Sequence, residues 1–388
     1  MLAYTGAMNT RASTTIVGLT VLLSACGSEE KAQSNHGGSA GTAGMAGSSG
    51  MAGAAGSAGD PGSAGASGEG CQPSSTFGTA WSPVGAEPTL SLQPCPTWNC
   101  LGTADPALVE QPEGTFHVWF TTGGDLGGPA IGHMIAGTNL DFQLVPNEPV
   151  SISDGSDRWD LHRETPSVVW DEASGRWHMW YLGYSVSFFD DPGIGHATSS
   201  DPEALTWDWP DEPIYRPEPG AWDFAFLTGP TGLRGPDGTW RVYFTGAGTT
   251  VGIGLLTSQD AIHFTPHEAN PVFERDIDGW DQGIFEPSVV HTGSEYWMFY
   301  AGYLEPLDVK TSPIAIGLAT SEDGVAWTRR GDGPVLNPGP PGSWNSLKVL
   351  SPSVIRRGDC SLWLAAYGGS LDTKDTVPFG HVGIWKSE

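Results

Sequence analysis

One short pattern recurs five times along the chain, and it restricts the fold more than any other feature. A strand-like segment opens on proline in "DPALV" (from 105), "TPSVV" (165), "GPTGL" (229), "EPSVV" (286) and "SPSVI" (351). The prolines are Pro106, Pro166, Pro230, Pro287 and Pro352, spaced by 60, 64, 57 and 65 residues. A second segment with alternating aromatics follows each, stopping near glycine: "FHVWFTTG", "WHMWYLG", "WRVYFTG", "YWMFYAG" and "LWLAAYG". A third begins with a β-branched residue and glycine: Ile131-Gly132, Ile194-Gly195, Ile253-Gly254, Ile316-Gly317 and Val382-Gly383. Alternation at period two, bounded by turn residues, specifies strands rather than helices.

Two further marks complete the unit. The third segment runs into an Asp-containing hairpin turn and an aromatic, as in "TSSDPEALTW" (198–207), "TSQDAIHF" (257–264) and "TSEDGVAW" (320–327). The Asp can satisfy turn backbone groups, and Gly324 can take a positive φ. This turn loosely resembles the sialidase Asp-box and is read as structural. A Trp-Asp or Trp-Asn pair precedes each opening proline: Trp98-Asn99, Trp159-Asp160, Trp222-Asp223, Trp280-Asp281 and Trp344-Asn345.

Five four-stranded units predict an all-β chain, a five-bladed β-propeller. The fifth unit stops at Glu388, just after its third strand. "TAWSPVGAEPTL" (79–90) aligns with "VAWTRRGDGPVL" (325–336). Residues 77 to 92 are therefore expected to complete blade five and close the ring.

The propeller is expected over 71–388. Residues 1–26 read as a lipoprotein signal peptide. The run "IVGLTVLLSA" (16–25) is too short to span a bilayer and ends in Leu23-Ser24-Ala25-Cys26, which resembles the bacterial lipobox. The lipobox implies lipidation at Cys26. Residues 27–70 are almost wholly Gly, Ala and Ser and read as a disordered tether reaching roughly 35–40 Å. The expected location is the bacterial cell envelope, lipid-anchored at the outer membrane and facing the periplasm or the exterior. Export permits disulfides. Strand one-to-two and three-to-four turns share a face of a blade, so Cys71–Cys360 is favoured as a ring staple and Cys95–Cys100 as a local clip. Four cysteines allow three connectivities.

The formal net charge is −27. It disfavours nucleic acid as a partner, because phosphates would be repelled. A neutral oligo- or polysaccharide fits, bound by a monomer whose membrane contact is the lipid anchor.

In a propeller the residues before each opening proline converge on one axial funnel, the default site. Blade one has Asp105, blade two Arg163-Glu164-Thr165, blade three Leu227-Thr228-Gly229, blade four Phe285-Glu286, and blade five Lys348 ahead of Leu350-Ser351. Three carboxylates and one Arg thus face a common point. They are either solvated at a channel mouth or set up for glycosidic chemistry, where one carboxyl protonates the leaving oxygen and another activates water or attacks. A neighbouring carboxylate would raise an acid's proton affinity, and an Arg beside Glu164 would hold that group ionised.

The five-bladed ring, the Asp-Pro opening of blade one and the pattern "MWYLG…IGHATSSD" resemble a glycoside hydrolase superfamily. It includes the family 43 arabinanases and xylosidases, the family 32 invertases and the family 130 mannoside phosphorylases. The resemblance implies that Asp105 is base or nucleophile. It departs at Thr165, where an Asp is expected, and at Thr228-Gly229, which replace the blade-three acid Glu. Glu286, two blades from Asp105 on the other side, is the candidate replacement acid. The catalytic set is then Asp105, Glu164 and Glu286. The substrate-binding set is Arg163, Asp223, Tyr184, Tyr303 and Lys348, with stacking aromatics sought in the "YSVSFFDD" (184–191) and "YLEPLD" (303–308) loops.

Most of the 17 Trp occupy repeated positions and are read as blade packing. No cofactor is expected. The acidic stretches "DGSDRWD" (154–160) and "RDIDGWD" (275–281) could hold a structural calcium, but neither has EF-hand spacing and solvated loops are the simpler reading. Two alternatives to the enzyme remain: a glycan-binding surface propeller without catalysis, and a structural or protein-interaction module.

Overall fold

The computed structural model describes residues 77–387 apart from 86–87, 92–101, 124–127, 146–147, 152–157, 186–190, 309–310 and 371–379. The expectations for Cys26, the tether, Cys71, Cys95 and Cys100 lie outside the described residues.

The described chain contains twenty strands. β1 is Ser82–Pro83. Blade one holds β2 (Gly102–Glu110), β3 (Phe116–Gly123), β4 (Ala130–Ala136) and β5 (Gln143–Leu144). Blade two holds β6 (His162–Asp171), β7 (Arg176–Tyr184) and β8 (Gly193–Ser199). Blade three holds β9 (Phe226–Arg234), β10 (Trp240–Ala247), β11 (Val251–Ser258), β12 (Thr265–Pro266) and β13 (Phe273–Glu274). Blade four holds β14 (Gly283–His291), β15 (Tyr296–Tyr303), β16 (Ala315–Ser321) and β17 (Thr328–Arg329). Blade five holds β18 (Lys348–Arg356), β19 (Leu362–Gly369) and β20 (His381–Ser387). Within each blade neighbouring strands pair antiparallel. In blade two the fourth position is marked by isolated bridges from Thr198 to Asp208 and Ile194 to Tyr215.

The first strands, β2, β6, β9, β14 and β18, touch in a closed ring around the axis. The ring closes as expected. β1 pairs with β20, Ser82 opposite Lys386, and Leu90 bridges Val382. Joining both ends of the chain in one blade removes the open seam of the ring.

The repeated sequence marks have local causes. Each inner strand breaks register at its opening proline, which lacks the N–H a ladder needs. The serines of the "PSV" repeats staple neighbouring blades. Ser167 Oγ accepts from Gly232 N at 3.0 Å, Ser288 Oγ from Val354 N at 2.9 Å and Ser353 Oγ from Leu108 N at 2.8 Å. The Trp-Asp pairs are clasps. Asp160, Asp223 and Asp281 accept hydrogen bonds from Tyr181, Tyr215 and Tyr300 at 2.6, 2.7 and 2.8 Å. Their Trp rings lie on the glycines that end the second strands: a Cβ at Gly183 or Gly246 would stand 2.7 or 2.5 Å from the indole. The Asp turns are structural too, since Asp323 Oδ1 accepts from the amides of Val325 and Ala326 at 2.8 and 2.9 Å.

Candidate active site

The site is built by five copies of one backbone irregularity. Asp105, Thr165, Gly229, Glu286 and Ser351 each precede an opening proline and have φ of 47, 51, 57, 50 and 47°. Left-handed backbone of this kind costs about 1–3 kcal/mol at a non-glycine residue. The bulge leaves the residue out of the ladder and aims its side chain at the axis. Two hydroxyls brace it: Thr165 N donates to Thr121 Oγ1 and Glu286 N to Thr245 Oγ1, both at 2.7 Å. All five residues line an axial cavity of about 140 Å³. At its far end the cavity is edged by the Asp171–Arg234 ion pair (3.1 Å), His291 and Arg356.

The carboxyls are buried, so the solvated-mouth alternative does not hold. Asp105 and Glu286 are each 6 % exposed and Glu164 is buried. Ser351 Oγ donates to Asp105 Oδ1 at 2.8 Å and also contacts Glu286 Oε2. Sharing one hydroxyl places the two carboxyls within roughly 6 Å, two hydrogen-bond lengths. Gly229 makes room for this: a Cβ there would stand 2.8 Å from Glu286 Cγ and 2.9 Å from its Cα. The missing blade-three side chain is thus the space over which Glu286 lies.

Burial raises the proton affinity of all three groups, to different extents. Asp105 is pushed up to about 6 by burial, opposed by hydrogen bonds from Ser351 and Thr121. Glu164 is pushed up to about 8 by burial and by the Asp105 charge, opposed by a hydrogen bond from Tyr184. Glu286 is raised well above its ordinary value by burial, then by the charges of Asp105 and Glu164. Of the pair, Asp105, with two hydroxyl donors, gives up its proton more readily, and Glu286 holds its own more tightly. Glu164 Oε1, Thr165 Oγ1 and Thr228 Oγ1 are buried with no hydrogen-bond partner among the described residues.

The other sequence candidates scatter. In blade two the bulge residue is Thr165, and Glu164 stands one position earlier. Arg163 does not hold Glu164 ionised. Strand neighbours point to opposite faces, and the Arg163 guanidinium binds Asp160 at 3.0 Å and covers Trp209 at 4.2 Å. Asp223 is fully buried in its Tyr215 clasp, away from the axis. Tyr184 reaches the site through Glu164. Tyr303 is buried, its ring 5.7 Å from that of Phe285. Lys348 is buried near Asp308, and burial pulls its ammonium down to about 8. Of the "YSVSFFDD" loop, residues 186–190 lie outside the described residues.

In the 275–281 segment Arg275 pairs with Glu305 and Asp281 with Arg329, both at 2.7 Å, and Asp276 Oδ1 accepts from the Asp278 amide. Among the described residues no group of three or more His, Cys, Asp or Glu side chains could hold a metal ion. Sequence reasoning missed Ser351, passed over as a small neutral group. Its signal was position alone, as the fifth residue before an opening proline.

No protein-family profile and no curated protein matches the chain in sequence. Solved structures do match in three dimensions. One belongs to the GH130 family of mannoside phosphorylases, described as containing glycoside hydrolases that target β-1,2 mannosidic linkages in Candida mannan. It aligns at TM-score 0.62 and 17 % identity over 82 % of this chain and 96 % of that one. A thermostable family-43 glycoside hydrolase aligns at TM-score 0.57 and 16 % identity, over 73 % and 88 %. A structure described as an RGII complex aligns at TM-score 0.60 and 18 % identity, over 77 % and 90 %. The chain has the five-bladed fold of these glycoside hydrolase propellers. At such identities the likeness establishes architecture, and the chemistry has to be argued from the axial residues.

Proposed function

We propose that the protein is a carbohydrate-active enzyme that cleaves a glycosidic bond at the axial site. Asp105 acts as base or nucleophile and Glu286 as acid. The observation that carries this reading is a pair of buried carboxyls within roughly 6 Å whose environments set the proton affinity of Glu286 above that of Asp105. Splitting the proton affinities of two carboxyls is how a single site supplies both acid and base, and glycosidic cleavage needs such a pair. Glu164 keeps negative charge beside Glu286 when ionised and so favours its protonated form. Thr165, Thr228 and Glu164 carry the unpartnered oxygens suited to sugar hydroxyls.

The neighbours with this fold, one of them described as an RGII complex, support a carbohydrate partner. A lipid anchor at Cys26 and the Gly/Ala/Ser tether would present the propeller as a monomer at the bacterial cell envelope. A Cys71–Cys360 staple would lock the closing segment to blade five, where Cys360 sits in the β18–β19 turn.

A second reading, a glycan-binding propeller without turnover, is favoured by Thr228-Gly229 at the blade-three acid position. A screen of aryl glycosides and plant polysaccharides against wild type and Glu286→Gln separates the two. Turnover lost in the variant with binding retained supports the enzyme. Binding without turnover in wild type selects the binder. Neither binding nor turnover defeats both.

A further inference from the structure

The axial contacts pose a problem of proton counting. Ser351 Oγ lies 2.8 Å from Asp105 Oδ1 and also contacts Glu286 Oε2. A hydroxyl carries one proton, so it can donate to one carboxyl only and must accept from the other. With both carboxyls ionised, one contact would set a lone pair against a negative oxygen in a buried place. One proton on the pair satisfies both contacts at once.

The neighbours decide which carboxyl carries it. Thr121 Oγ1 accepts from Thr165 N, which leaves its own proton free for Asp105. Asp105 thus receives two hydroxyl donors, Ser351 and Thr121, and donors favour the ionised form. The resulting chain runs from the Glu286 hydroxyl to Ser351 Oγ, and from the Ser351 hydroxyl to the Asp105 carboxylate.

Of the other groups around the pair, Glu164 on β6 is pushed up to about 8 by burial and by the Asp105 charge and is bonded by Tyr184 of β7, so near neutral pH it keeps a proton of its own. β9 presents Thr228 and Gly229, which do not titrate. Thr245 of β10 accepts from the Glu286 amide. Tyr303 of β15 packs on Phe285. Arg163 is turned to Asp160, and Lys348 stands three residues before Ser351, within the field of Asp308.

We propose that Ser351 is a positioning residue that ties Asp105 and Glu286 into one pair holding a single proton, which each turnover returns to Glu286. This rests on the hydrolytic reading above. Carboxyls bridged by one hydroxyl leave no room for a water between them, the separation at which the second carboxylate is a nucleophile. In one cycle Glu286 gives its proton to the leaving oxygen as Asp105 bonds the anomeric carbon and the glycosidic bond breaks. Glu286 then takes a proton from water as the water oxygen displaces Asp105 from that carbon. The pair ends with its one proton on Glu286 and the Ser351 hydroxyl again donating to the Asp105 carboxylate.

The test compares wild type, Ser351→Ala and Ser351→Thr, the last of which keeps a hydroxyl. Proton sharing is read without substrate, by carboxyl ¹³C NMR titration and by the infrared carboxylic-acid band that Glu286→Gln removes. Expected in wild type are two well-separated titrations, with Glu286 still protonated at neutral pH. Ser351→Ala should bring the two titrations together, lower kcat about a hundredfold with KM little changed, and narrow the pH profile of kcat/KM. Ser351→Thr should restore both. A purely structural role would lower Tm in Ser351→Ala and leave the titrations and the pH profile where they were, and that result overturns the proposal. So does a wild type in which both groups are ionised at neutral pH. If no substrate is turned over, the titrations still decide the shared proton, so failure of the hydrolytic reading is told apart from failure of this one.

Discussion

The propeller buries two sets of titratable groups, and they have opposite fates. At the axis, Asp105 and Glu286 line a cavity together with Thr165, whose Oγ1 has no hydrogen-bond partner among the described residues, and Glu164 stands one residue before Thr165. Between the blades, His117 pairs with His133 and His178 with His196, each through a 3.0 Å ring contact. The histidines stack on Trp119 and Trp180 and pack against Trp177 and Trp240 of the next blade. Burial drives them down, to about 4 for His117 and His178 and about 3 for His196. Both sets have shifted proton affinities. Only one has a place for a second molecule and members drawn from different blades. In blades three, four and five Leu255, Leu318 and Ile384 stand where His133 and His196 stand, so the imidazoles fill a packing position. A shifted pKa marks a site only together with convergence and space.

The largest effect that would test this contrast is at the axis. Asp105→Asn should lower kcat on a cleaved glycoside by at least about 10³-fold with KM changed little, whereas His133→Leu should leave kcat within about twofold. Steady-state kinetics on both variants check it, and an equal loss would break the contrast.

Next is Gly229→Ala. Its Cβ would meet Glu286 Cα at 2.9 Å and must adopt φ near 57°. A loss of about 2–3 kcal/mol is expected in denaturant unfolding, with Glu286 displaced.

A smaller effect separates the two sets by pH. The folded state raises Glu164 from 4.5 to about 8. It holds this proton more tightly than the unfolded chain does. The associated stability is full below about 4.5 and lost as pH rises through about 8. Glu164→Gln should remove that loss and raise Tm at pH 8.5 by on the order of 5 °C relative to wild type. Differential scanning calorimetry across pH reads it.

The histidines carry the opposite sign. They are lowered from 6.5, so their stability is full above about 6.5 and lost as pH falls through about 4. The double variant His178→Phe, His196→Leu should flatten this acid limb, raising Tm at pH 4.5 by about 2–3 °C with neutral-pH turnover unchanged. This is the smallest of the four effects.

Much of the architecture was legible because each repeat solves the same local problem. The prolines announce the bulges, the alternating aromatics the second strands, and the truncated fifth unit the closing segment at Ser82–Pro83. The Asp105 and Glu286 pair was legible as well, since both stand directly before an opening proline. In blade two the residue directly before the proline is Thr165, which carries no charge. Glu164 drew attention as the charged group, but the left-handed bulge falls on Thr165, and a one-residue slip on a strand changes the face a side chain meets. Arg163 was assigned to its neighbour Glu164, whereas its guanidinium turns to Asp160, three residues earlier, and to Trp209, which only folding brings near.

By itself the sequence determined the ring, its closure and which strands face the axis, because period and turn chemistry are local and act within a few residues. Only the tertiary structure decided what the axis contains. Asp105, Glu286 and Ser351 come from three blades, and the Ser351 contacts span 246 and 65 residues of chain. Which carboxyl keeps the proton depends on through-space charge, burial and the single hydrogen of a serine. None of these leaves a trace in the order of residues along the chain.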